Sequence, residues 1–395
     1  MLYEFLDNFK HNLFKPLLLF FYMGFSIPIL GVPFEFPHVL YQGLTMYLLI
    51  AIGWHGGEEL ASLDAAGAQQ AVGFMMIGFI TNFLIGVVAY QVLRRATKLR
   101  RIDAATVAGY YGSDSAGTFV TCLGVLTAAK PAIAYAAYMP VMLAVMEIPG
   151  CLVALFLVSR LRENGMDPLG NMPDEAGYEP NGNGDGNGNG NHGDDGDRPH
   201  NGHAVVKRVN GNGGRKGIFS PELLHEVFLN PGLYLLFGGI AIGYISRLQG
   251  EKVSAVDDIL FVDLFQGVLC LFLLEMGMTA CRRLRDLKTA GWMFIAFALI
   301  APNVFATVGI VVAHAYSMAL GTPFSLGTYA LFSVLCAAAS YIAVPAVQRL
   351  AIPEASPTLP LAASLGLTFS YNVTIGIPIY LEIAKAVMRN FPVTG

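Results

Sequence analysis

The sequence predicts an all-helical polytopic membrane protein with about ten transmembrane spans. They form two five-helix repeats of opposite orientation, with the fourth and ninth spans broken. Three observations carry this: a composition suited to lipid, apolar stretches of spanning length, and a likeness between the two halves. Of 395 residues, 54% are hydrophobic and 13% charged, with a mean hydropathy of +0.54; a soluble chain is about 25% charged. The net charge of -4, with no basic stripe carrying interleaved aromatics, argues against a nucleic-acid partner. Cys122, Cys151, Cys270, Cys281 and Cys336 lie in or at the ends of apolar segments at no metal-like spacing, which reads as buried packing.

A helix needs about 20 apolar residues to cross the hydrocarbon core. Such stretches fall near 15–33, 37–54, 71–93, 103–128, 132–160, 231–248, 259–281, 289–317, 325–350 and 358–388. Ahead of them, "MLYEFLDNFKHNLFK" carries Glu4 and Asp7 and no small-residue cleavage site, so it reads as an interfacial helix rather than a signal peptide. The Asn/Gly/Asp-rich segment 163–217 has little to bury and reads as a disordered linker, its His192, His200 and His203 solvated. It separates a first repeat, 1–162, from a second, 218–395. In "SPELLHEVFLNPG", Ser220 and Pro221 open a short interfacial helix, and Asn230 and Pro231 open the next span by the same chemistry. "HGGEE" (55–59) lacks the paired histidines of a zinc protease and reads as a loop.

Orientation follows the positive charges. "RRATKLRR" after span three and "RRLRDLK" after span seven are expected to face the cytoplasm, whereas "HGGEELASLD", with acids and no Lys or Arg, faces out. Ten spans then leave both termini outside and the linker in the cytoplasm, in an integral plasma (inner) membrane protein.

The halves resemble each other. "YQGLTMYLLIAIGWHGGEEL" (41–60) aligns without gaps on "FQGVLCLFLLEMGMTACRRL" (265–284), "AVGFMMIGF" (71–79) on "TAGWMFIAF" (289–297), and "MEIPG" (146–150) on "IGIPI" (375–379). Five spans per half invert the second copy, a common build among secondary transporters. Under this repeat, "YYGSDSAGTF" and "CAAASYIAVPA" (336–346) are symmetry mates. Gly112 and Gly117 tolerate unwinding and Pro345 removes a hydrogen bond.

A broken helix exposes N–H groups at the start of its second half, where a dipole worth about half a charge favours an anion. Ser115 or Ser340 stands where such an end would be capped, and two facing ends make a small-anion site without Lys or Arg. Asp114 at a span centre costs about 2.5–3.5 kcal/mol on insertion scales. A bound Na⁺, a proton, or a protonated carboxyl capping a half-helix would each account for it. Glu147 and Glu275 are further intramembrane acids that suit a cation site or an interhelical hydrogen bond equally, and Asn372 and Thr374 are oxygen donors that also suit interhelical bonds.

Together "RRIDAATVAGYYGSDSAGT", "MP…MEIPG" (139–150), "EMGMTA" (275–280), "ALIAP" (298–302), "PFSLG" (323–327) and "AIPEASP" (351–357) make the chain resemble the sodium-dependent bicarbonate transporter family, over nearly everything but the linker. The resemblance implies inverted five-helix repeats, trimers, and bicarbonate held between the fourth and ninth helices with Na⁺ as the coupling ion and no organic cofactor. It also implies an elevator-like movement. Carried over by position, the substrate region is Ser113, Asp114, Ser115, Ala116, Gly117 and Thr118 with Ser340, Tyr341, Ile342, Ala343 and Val344. Cation ligands would come from Ser115, Thr118 and Ser340 with neighbouring backbone, and Asp114 adds a carboxylate. One departure stands out: where family members carry a Ser-rich segment with an acid in the ninth helix, this chain has Ala338, Ala339, Ser340 and Tyr341, while Asp114 puts a carboxylate in the other half. Family members can also bind a small PII-like regulatory protein on the cytoplasmic side.

The reading is thus a Na⁺-coupled symporter for bicarbonate or a similar small anion. Its rivals are a cation/proton antiporter at Asp114, a transporter of another small carboxylate, and a membrane receptor that binds an anion without moving it. No nucleophile–base pair, metal motif or phosphate loop supports an enzyme, so no catalytic residue is assigned.

Overall fold

In the computed structural model, residues 14–179 and 231–393, apart from Ala290, are described. Among them there is helix and loop and no strand. The expected interfacial helices at 1–15 and 218–230 fall almost wholly outside these residues, as does the linker beyond Glu179 with its histidines.

The first half runs through α1 (Pro16–Leu30), α2 (His38–Leu60), α3 (Ala65–Ala96), α4 (Arg101–Tyr111), α5 (Ala116–Thr127) and α6 (Met139–Glu163). The second runs through α7 (Pro231–Leu248), α8 (Glu251–Asp258), α9 (Phe265–Arg283), α10 (Trp292–Leu320), α11 (Leu326–Ala337) and α12 (Ala343–Ala351), and after wide turns at Ala362–Phe369 and Asn372–Gly376 ends in α13 (Ile377–Asn390). Local chemistry sets several ends. Pro16 opens α1, and Gly31 closes it at φ 65, a left-handed conformation glycine adopts freely. The Asp64 carboxylate accepts from Gly67 N–H at 2.8 Å to cap α3, whose last turn carries Arg94 and Arg95.

Among the described residues, five helical runs are long and apolar enough to cross a bilayer: α3, α6, α7, Lys252–Arg283 (which contains α9) and α10. Their outward faces match that reading. Val72, Met76, Ile80, Leu84, Val88 and Val92 form an exposed apolar stripe along α3 at four-residue steps, and Ile300, Val304, Val308 and Val311 form another on α10 at steps of four, four and three. Stripes of this length suit lipid, not water. The chain is an integral membrane protein.

Two groups of helices pack differently. In the outer group, α1 crosses α9 and α2 crosses α7 at backbone contact. A Cβ on Gly24 would strike the Leu274 carbonyl, and one on Gly277 the Phe21 carbonyl. At the other crossing, a Cβ on Gly53 would strike the Leu236 carbonyl, and one on Gly239 would lie 2.7 Å from the Ile50 carbonyl. Without a hydrophobic drive between helices in lipid, such small-residue crossings supply the attraction.

This corrects the reading of "HGGEE" as a loop, because residues 55–59 lie inside α2. Gly57 abuts the Ile240 carbonyl and a Cβ on Gly56 would sit 2.6 Å from the Pro140 ring, so the glycines serve helix packing rather than a turn.

The inner group holds α3 to α6 and α10 to α13. Ile102–Tyr111 of α4, Gly117–Leu126 of α5 and Gly327–Ala337 of α11 are buried throughout. The Gln266 amide of α9 ties the two groups by donating to the Gly124 carbonyl at 3.1 Å and the Thr127 hydroxyl at 2.8 Å. His55 of α2 bonds the Tyr135 hydroxyl at 2.9 Å.

The first part of the expected linker is folded. Burial works against charge on Asp167, but N–H groups of Glu179, Asn171 and Leu169, at 2.8, 2.7 and 2.9 Å, outweigh it and hold its carboxyl below the usual range. Glu175 accepts from Arg101 N–H at 2.7 Å, so residues 164–179 brace the start of α4. Between the acids stand Met166 and Met172, the latter buried, and Asp167 and Glu175 find partners in the backbone.

Candidate functional site

The inner group buries its polar side chains where α4 gives way to α5 and α11 to α12. After Tyr111 the chain leaves helix at Gly112, whose N–H still bonds the Ala108 carbonyl at 2.8 Å. It resumes after Ser115, which is extended at φ -143 and ψ 113, its hydroxyl accepting from Thr118 N–H at 3.3 Å. The Thr118 hydroxyl adds a bond to Ser115 Oγ at 3.1 Å. α5 thus begins with a side-chain cap and a positive dipole end inside the protein.

On the other chain segment, α11 ends at Ala337 and Ala338 is extended. α12 begins at Ala343 after Ile342, which offers no cap; Ser340 Oγ accepts from Val344 N–H at 3.4 Å instead.

The two segments meet. Ser340 N–H donates to the Tyr110 carbonyl at 2.9 Å, one of the carbonyls α4 leaves open at its end. Glu147 of α6 spans both: its carbonyl accepts from the Ser113 hydroxyl at 2.9 Å and its carboxylate from the Ser340 hydroxyl at 3.3 Å. That approach depends on Gly150, where a Cβ would lie 2.6 Å from Ser113 Cβ and overlap the Gly109 carbonyl. Asn372 donates to the Ala337 carbonyl at 3.1 Å and accepts from the Tyr380 hydroxyl at 2.6 Å, fixing the end of α11.

Asp114 is 0% exposed, and neither carboxylate oxygen has a hydrogen-bond partner. It lies within electrostatic range of Glu147 and Cys336. Among the described residues, no three His, Cys, Asp or Glu side chains converge as a metal centre. A cation here would therefore rest on the carboxylate, hydroxyl and carbonyl oxygens of these segments, which suits a hard ion.

Of the residues singled out in the sequence, Ser113, Asp114, Ser115, Gly117, Thr118, Ser340, Tyr341, Glu147 and Asn372 are buried in this cluster or bonded to its edge. Ala116 and Ile342 line a small apolar crevice between the cluster and the outer group, with Gly117, Leu48 and Phe272. Ala343 is the first residue of α12.

Two others make their hydrogen bonds elsewhere, and one Glu275 oxygen, Oε2, is buried without a partner. The Thr374 hydroxyl donates back to the Ser370 carbonyl of its own turn at 2.6 Å. Glu275, on α9, accepts from the Thr279 hydroxyl at 2.7 Å. Sequence reasoning also missed Asn82, fully buried on α3, which donates to the Met146 carbonyl at 3.1 Å and the Leu335 carbonyl at 3.5 Å, its own carbonyl left without a partner. A lone amide in the apolar run "FMMIGFITNFLIG" was the available signal.

Lipid-facing stripes outside and a polar cluster sealed at the centre define, in class, a helical membrane protein with an internal site. The chain belongs to the Na⁺-dependent bicarbonate transporter superfamily, whose family model matches residues 16–385. No curated protein matches it.

Proposed function

We propose that the chain is a sodium-coupled symporter that imports bicarbonate or a similarly small anion, the inner group of helices sliding against the outer one. The observation that carries the reading is the meeting of the two helix interruptions through Ser340 and Glu147, with the unpartnered Asp114 carboxylate sealed beside them. The N-terminal ends of α5 and α12 supply positive dipoles for the anion. Asp114, Ser115, Thr118 and Ser340 supply oxygens for Na⁺, whose single charge offsets the carboxylate, while the helix dipoles bear the anion. Irregular backbone at this depth is tolerated because protein surrounds it.

The inverted repeat belongs to the same proposal, and the glycine crossings support it. Under the alignment of 41–60 on 265–284, Gly53 pairs with Gly277 and Ile50 with Leu274. Aligning Pro16 on Pro231 pairs Gly24 with Gly239 and Phe21 with Leu236. The contact of Gly24 with Leu274 then maps onto that of Gly239 with Ile50, and that of Gly277 with Phe21 onto that of Gly53 with Leu236. We read the basic ends of α3 and α9 as cytoplasmic, the termini as outside, and the assembly as a trimer open to a PII-like regulator.

The test is uptake of labelled bicarbonate into proteoliposomes under an inward Na⁺ gradient. Uptake that collapses when choline replaces Na⁺ is expected; uptake indifferent to the replacement rejects coupling. The proximity of Asp114 to Glu147 favours one rival, cation/proton exchange. That rival predicts a change of internal pH on adding Na⁺ without bicarbonate.

A further inference from the structure

Tyr341 stands in the second interruption at the position where the resemblance led us to expect an acid, and its surroundings give it a purpose. Its ring packs edge-on against Phe369 at 5.4 Å and 74°. Its residue is 8% exposed, and the buried hydroxyl makes no well-formed hydrogen bond, with Ser115 as its polar neighbour. Buried hydroxyls are seldom left that way, because the lost water contacts are then uncompensated.

The hydroxyl lies directly over Gly117 in the first turn of α5 and against Ser115: a Cβ on Gly117 would overlap the oxygen, with the ring carbon that bears it and Phe272 Cε1 each 3.2 Å away. In that turn Thr118 N–H is taken by the Ser115 hydroxyl and Phe119 N–H by the Ser115 carbonyl. The amides of Ala116 and Gly117 have no acceptor inside the helix. The phenol, the first two N–H groups of α5 and the helix dipole therefore lie together at Ser115 and Gly117, next to the crevice lined by Ala116, Gly117 and Ile342.

We infer that the Tyr341 hydroxyl is a direct ligand of the transported anion, donating to one oxygen of a small oxyanion whose charge rests on the first amides of α5. The inference depends on the proposed anion site and names the residue that sets affinity there. It replaces the hydroxyl-rich chemistry this segment lacks with one phenol delivered from the opposite helix. It also assigns Gly117 a reason: any side chain would displace the donor.

The test uses the full-length protein in detergent, with affinity read from the thermal shift given by sodium bicarbonate against equal sodium chloride. Tyr341→Phe keeps the ring on Phe369 and removes one oxygen. It is expected to weaken bicarbonate by about tenfold or more, the scale of a hydrogen bond to a charged group. Its stability without bicarbonate should equal or exceed that of wild type, since an unpartnered polar atom has gone.

Gly117→Ala should lower that ligand-free stability, and adding Tyr341→Phe should restore it, because the two changes act through the same oxygen. Unchanged bicarbonate affinity in Tyr341→Phe, with wild type binding, overturns the inference alone. A double variant as unstable as Gly117→Ala also overturns it. Wild-type protein blind to bicarbonate sinks the functional reading, and this inference with it.

Discussion

The interruption between α4 and α5 and the one between α11 and α12 differ in what they carry. The first caps its own helix, with Ser115 on α5, and carries the buried carboxyl group of Asp114. The second is neutral and borrows. Ile342 offers no cap, Ser340 reaches out to Tyr110 and Glu147, and Asn372 from the last helical segment satisfies Ala337. The difference suggests a division of labour in the proposed site, in which the first segment provides charge and the second provides closure and the phenol.

The sharpest way to break that division is Asp114→Asn. A charge-assisted contact to a buried ion is worth about 2–3 kcal/mol, or about thirty- to a hundredfold in affinity. Sodium-stimulated uptake in proteoliposomes should fall by that order, while the protein still elutes as a folded species. Normal sodium dependence in this variant would remove Asp114 from the site.

The likeness of the halves is tested at the glycine crossings. Gly53→Ala and Gly277→Ala should each destabilise by about 1–3 kcal/mol, as overpacking does, with similar drops in thermal unfolding temperature in detergent. A large drop in one and none in the other would break the equivalence.

A smaller effect separates the caps. Ser115→Ala should cost about 1 kcal/mol in stability. Ser340→Ala should cost less, because Ser340 lies outside the cap position of α12, which Ile342 holds, whereas Ser115 is the N-cap of α5.

The least effect lies outside the membrane, where residues 164–179 brace the start of α4 and pass beside Glu354. The Asp167 carboxyl titrates lower in the folded protein than in the unfolded chain. Its stabilisation is therefore complete above the unfolded value of about 3.9 and is lost as pH falls through the folded one. Protection of this loop from an acid-active protease should hold from neutral pH to about pH 4 and fade below it.

Much of this was visible along the chain because it is local. Gly112, Ser113 and Asp114 crowd the centre of an otherwise apolar stretch, and no helix needs them there; they fall between α4 and α5. The alignment that pairs Gly53 with Gly277 fell on two residues that both touch a neighbouring backbone. What could not be read depends on contacts across the fold. Glu147 joins the two segments only because Gly150 lets α6 approach, and sequence gives no distance. Thr374 looks like a ligand in one dimension, yet its hydroxyl returns to Ser370. "HGGEE" has a loop's composition but a helix crossing's geometry, and Asp167 organises a loop from residues that composition reads as solvated.

The most direct measurement is bicarbonate affinity as a function of sodium concentration, in purified wild-type protein and in Asp114→Asn. A cation and an anion side by side in one pocket attract, and by linkage each then tightens the other by the same factor. The account predicts affinity that climbs with sodium in wild type and stays flat in the variant. Bicarbonate binding equally tight with and without sodium in wild type would contradict it.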